Sequence, residues 1–76
     1  MNAFKAAPLA LPKQSIAWIV ARMHVGESDE YVKTDIRRRC TTQGWTETMI
    51  ERAEKYAVQC HRKNQALYRS VMSGRF

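Results

Sequence analysis

The sequence predicts an all-α domain of three helices, the last much the longest. Two observations carry this. Apolar residues recur at helical rather than strand spacing, and proline or glycine punctuates them at Pro12, Gly26 and Gly44, with no further break before Gly74. Seventy-six residues make one domain near the lower size limit for a self-sufficient core.

Residues 1–11, MNAFKAAPLAL, read as a flexible N-terminal arm, and residues 12–76 as the helical domain. Helix one is expected over about 12–24, with Pro12 in its first turn, where proline is tolerated. Ile16, Ile19, Val20 and Met23 fall at i, i+3, i+4 and i+7. Ala17, Trp18, Ala21 and Val25 widen that apolar surface, which predicts that this helix is the most buried. Gly26 ends it, and His24 reads as a boundary residue. Helix two is expected over about 29–41. Ser28 or Asp29 caps it, Asp29 and Glu30 suit its dipole, and Val32, Ile36 and Cys40 mark its inner face. Arg37, Arg38 and Arg39 close it where cations suit the dipole, before Thr41-Thr-Gln-Gly44 breaks the chain.

Helix three is expected over about 46–73, capped by Thr46. Ile50, Ala57, Asn64 and Val71 lie seven apart, and Ala53, Cys60 and Leu67 form a second such series offset by three. This is a heptad-like seam with one polar member, Asn64, flanked by Tyr56 and Tyr68. About 27 residues at 1.5 Å give roughly 40 Å of helix, against a diameter near 30 Å for a globule of this length. A straight helix would therefore overhang its own body, so it either bends near Asn64 or packs its far half on a second chain, and the seam favours a homodimer joined through Ile50, Ala53, Ala57, Cys60, Asn64, Leu67 and Val71.

Composition narrows the function. At 45% apolar and 26% charged the chain is an ordinary folded protein. Its longest apolar run, Ile16 to Ala21, is far short of a membrane span, and its first residues make a poor signal peptide, so a cytoplasmic protein is expected. Cys40, Cys60, His24 and His61 lack metal-ligand spacing, no cofactor motif is present, and buried thiols are expected. The chain also lacks a phosphate loop and a nucleophile elbow, and Cys60 and His61, adjacent on a helix, point about 100° apart. An enzyme is not expected.

The net charge of +6 is banded. Residues 27–35 are acidic, 36–45 basic, 46–54 acidic, and 55–76 hold five cations and no acid. Such banding suits a polyanion, or a dipolar protein pairing with itself. On helix three, Lys55, Arg62 and Arg69 lie opposite the apolar seam with Lys63 beside them, a cationic line facing away from the packing.

Cys40, Gly44 and Ile50 stand at offsets of four and six. The first is small enough for two helices to approach, the second takes a left-handed turn, and the third plugs the gap between helices. Trp45 and Thr46 follow the glycine as apolar residue and cap. Over residues 36–53 this resembles the helix-turn-helix family of DNA-binding domains, with Arg39 and Gln43 standing where the motif normally buries aliphatic residues. The resemblance implies that helix three reads double-stranded DNA through Thr48, Arg52 and Lys55, with Arg52 placed for a guanine edge. Arg37, Arg38, Thr46, Arg62, Lys63 and Arg69 would hold the backbone. Glu47 and Glu51 oppose phosphates and suit the helix N-terminus instead. Two readings result: a small dimeric DNA-binding regulator, and a helical interaction module or small inhibitor docking an acidic or apolar protein.

Overall fold

Helix α1 (Lys13–Met23) starts directly after Pro12, whose φ of −59° sits at the N-cap, and ends at His24 before Gly26 turns the chain at φ +80°. A computed structural model describes residues 9–72. Helix α2 (Asp29–Thr41) is capped by Ser28, whose hydroxyl oxygen accepts a hydrogen bond from the Tyr31 backbone N–H at 3.1 Å. Helix α3 (Glu47–Met72) runs unbroken for 26 residues, and Thr46 caps it by accepting from the Met49 N–H at 3.3 Å. The three helices therefore lie where the sequence places them, and the last is the longest.

The α2–α3 connection is a Schellman turn. The Gly44 N–H donates to the Thr41 carbonyl at 2.9 Å and the Trp45 N–H to the Cys40 carbonyl at 3.4 Å. Such a turn requires a left-handed residue, and Gly44 supplies it at φ +76°. A Cβ at this position would meet nothing within 4 Å, so the constraint is the backbone conformation rather than space.

The core forms because α3 lies against both of the other helices. Ile16, Ile19 and Val20 come from α1, Val32, Ile36 and Cys40 from α2, and Ile50, Ala53 and Ala57 from α3. Two expectations are corrected here. Helix α1 is not the most buried, because α3 covers one side of it: Trp18, Met23 and Val25 stay exposed. The arm assigned to residues 1–11 does not extend to its last residues, since Ala10 is buried and Leu9 and Leu11 pack against the core. Residues 1–8 of that arm, and residue 73, assigned to helix three, lie outside the described residues.

The long helix shapes the molecule. Its 26 residues correspond to about 39 Å, and the extents are 48 × 29 × 17 Å with a radius of gyration of 14.0 Å. No described helix is long and apolar enough to cross a membrane.

Candidate nucleic-acid interface

Arg37 and Glu47 lie ten residues apart on either side of the Gly44 turn, and Glu54 is one seven-residue step beyond Glu47 on the same side of α3. Folding the turn brings all three together. Arg37 donates from Nη1 and Nη2 to Glu47 at 2.9 and 2.6 Å, and from Nε and Nη2 to Glu54 at 2.9 and 3.0 Å. Both pairs are two-pronged, the geometry in which a guanidinium binds carboxylate most strongly. Glu47, then Glu54, holds the guanidinium even more firmly protonated than usual, while Arg37 keeps the Glu47 carboxyl below its ordinary range.

Arg37 was expected to hold phosphate, and here it is engaged with two carboxylates. With one cation between two carboxylates, the cluster carries a net negative charge and its donors are engaged, so it repels phosphate. Arg37 joins α2 to α3. Arg37→Ala is accordingly expected to lower the thermal midpoint while leaving duplex binding by the folded protein unchanged, which calorimetry and a titration measure separately. A variant that kept its midpoint but lost duplex binding would return Arg37 to the contact surface.

Two histidine–aspartate pairs, each with a buried imidazole, brace α2, one at its middle and one at its start. His24 is wholly buried and its Nε2–H donates to Asp35 Oδ2 at 2.8 Å. Asp35, itself buried, also accepts from Arg39 Nε at 2.9 Å and from Arg38 Nη2. Burial pushes the Asp35 carboxyl up, but the hydrogen bonds from His24, Arg39 and Arg38 outweigh it and take it from 3.8 down to about 2. At the start of α2, His61 Nδ1 lies 3.0 Å from Asp29 Oδ1 and Arg62 Nε donates to Oδ2 at 3.0 Å. Arg62, then His61, lowers the Asp29 pKa. With both imidazoles shielded from solvent, these pairs hold helices together.

The sequence reading had placed neither histidine in such a pair and had passed over Asp35 and Glu54. A signal was present. His24 follows buried Val20 by four residues, His61 follows buried Ala57 by four, and Asp35 follows buried Val32 by three, so helical spacing turns each toward the core.

With most acids occupied inside the fold, the outer side of α3 remains cationic. Thr48, Arg52, Lys55 and Gln59 share one exposed face, with Arg62 and Lys63 following. Among the described residues no carboxylate pairs with Arg52, Lys55, Lys63 or Arg69, whereas Arg62 shares its charge with Asp29, and Arg38, though largely exposed, with Asp35. Arg52 and Lys55 also line an open groove of about 640 Å³ together with Lys13, Tyr56, Leu9 and Leu11. Lys13 Nζ stands 5.5 Å from the Tyr56 ring centre. Three cations and no acid line this groove. Lys13, at the start of α1, is the member that sequence reasoning did not single out.

Cys40 and Ile50 are buried and Gly44 is left-handed. Arg39 and Gln43, where the motif would bury aliphatic residues, instead pair with Asp35 and accept from Trp45 Nε1 at 3.2 Å. Thr46 is exposed and serves as a cap. The seam assigned to a dimer divides. Ile50, Ala53 and Ala57 lie in the chain's own core and offer nothing to a second copy, Cys60 and Asn64 are half-buried, and Leu67 and Val71 are exposed. No family model, curated protein or solved structure matches this chain.

Proposed function

We propose that this is a DNA-binding domain of regulatory type that lays the outer face of α3 on duplex DNA. Arg52, Lys55 and Lys63 hold phosphates there, Lys13 adds a fourth such contact from the start of α1, and Thr48 faces the bases. The observation that carries this reading is the partition of charge. Asp29, Asp35, Glu47 and Glu54 are occupied at helix junctions, while these four cations have no described carboxylate partner. A helix with its side chains, about 10–12 Å across, fits a major groove about 12 Å wide. The left-handed turn at Gly44 and the buried Cys40 and Ile50 also support it. Relative to the sequence reading, Arg37 leaves the proposed contact surface and Lys13 joins Arg52, Lys55 and Lys63.

Titration of a duplex at a series of salt concentrations tests this. Four phosphate contacts give a slope of about −3.6 for the logarithm of the binding constant against that of salt. A flat salt dependence, or no binding at low salt, would refute the reading.

A further inference from the structure

The open groove beside Arg52 joins two chemistries at one place. Leu9, Leu11 and the ring of Tyr56, all half-buried, give it apolar surface, and Lys13, Arg52 and Lys55 line it with no acid among its residues. The cations stand at the apolar surface rather than apart from it. Lys13 Nζ is 5.5 Å from the Tyr56 ring centre, and Arg52 precedes Tyr56 by four residues on α3, which makes them neighbours on one helical face. The groove, about 640 Å³, falls in the range of roughly 300–1,000 Å³ over which small-molecule sites occur.

Both halves decide what fits. A phosphate satisfies the cations and leaves the Leu9, Leu11 and Tyr56 surface wet. A neutral apolar molecule covers that surface and leaves three cations uncompensated. Residues 1–8, which lead into Leu9, carry Lys5 and no acid, so their charge adds to that of the groove. Arg52 is exposed and has no described carboxylate partner, so its guanidinium can take a carboxylate on two prongs, as Arg37 takes Glu47 and Glu54 within the fold. We propose that this groove binds a small organic anion, a carboxylate joined to an apolar body. Lys13, Arg52 and Lys55 hold the carboxylate, and Leu9, Leu11 and Tyr56 cover the body. The site stands on the groove itself and does not rest on the nucleic-acid reading, whose phosphate contacts it shares.

Naphthoate tests this, with its neutral amide as a probe of the same shape and inorganic phosphate as charge without an apolar body. Binding is followed through the methyl resonances of Leu9 and Leu11 and the ring resonances of Tyr56. Naphthoate is expected to shift these signals saturably and to weaken as salt rises. The amide and phosphate should each bind at least tenfold more weakly. Arg52→Gln, at an exposed position, should reduce naphthoate binding at least fivefold while the thermal midpoint stays near that of wild type. Equal binding of naphthoate and its amide would overturn the proposal. So would naphthoate shifts confined to Val25, Leu67 and Val71, which line a separate, mostly apolar groove between the end of α1 and α3. Naphthoate binding without duplex binding would refute the nucleic-acid reading and uphold this site, and duplex binding without naphthoate binding would do the reverse.

Discussion

Replacing Asp35 with alanine is expected to cost about 3–5 kcal/mol of folding free energy, the usual consequence of removing one member of a buried ionic cluster. For 76 residues the total stability is roughly 4–11 kcal/mol, so the variant should lose a large share of its stability and unfold at a markedly lower urea concentration than wild type. The reason is local. Asp35 is buried and accepts from His24, Arg38 and Arg39, and its loss strands an imidazole with no exposed surface and removes the carboxylate that ties down Arg38 and Arg39. The same cluster sets an acid limit. Because the folded pKa, about 2, lies below the ordinary 3.8, the stabilisation is fully present above about pH 4 and disappears as pH falls toward 2. That shift corresponds to about 2 kcal/mol. Urea unfolding of the wild type and of Asp35→Asn at pH 7 and pH 2.5 measures it, and the asparagine variant should show a shallower acid loss. Asp29 and Glu47, also held below their ordinary range, account for the loss that remains. Equal acid sensitivity in the two proteins would mean that Asp35 is not the group responsible.

The second large effect is on binding. The double variant Arg52→Glu, Lys55→Glu should reduce the salt slope for duplex DNA from about −3.6 to about −1.8, with affinity falling at every salt concentration, because two of four phosphate contacts are lost. Both residues are exposed and neither has a described carboxylate partner, so the far-ultraviolet spectrum and thermal midpoint should stay near those of wild type. The contrast with Arg37 is the informative part: loss of Arg37 should loosen the fold and spare binding, and the double reversal should do the opposite. An unchanged slope in the double variant would remove α3's outer face from the interface.

The elements of the fold were legible because each carries local signals that tertiary packing did not override. Ser28 and Thr46 cap the helices they were expected to cap, and Gly44 takes the left-handed turn. The outward position of Lys55, Arg62, Lys63 and Arg69 also followed from counting around α3. What spacing could not convey was which body supplies the other side of a contact. The seven-residue seam is real, but its periodicity is the same whether the chain's own helices or a second copy covers it, and at Ile50, Ala53 and Ala57 it is the chain's own. The carboxylate partners of Arg37 were hidden for a related reason. Three successive arginines look alike on paper, and only closure of the α2–α3 turn shows that one of them meets two carboxylates.

The junction carboxylates restrict how this chain can be re-engineered. A common route to tighter polyanion binding is to erase acids and so raise the overall positive potential. Here Asp29, Asp35, Glu47 and Glu54 each tie one segment of the molecule to another, and substituting them would slacken the scaffold that presents the cations. Surface sites such as Glu27 and Glu51 are where such substitutions can be made without that penalty.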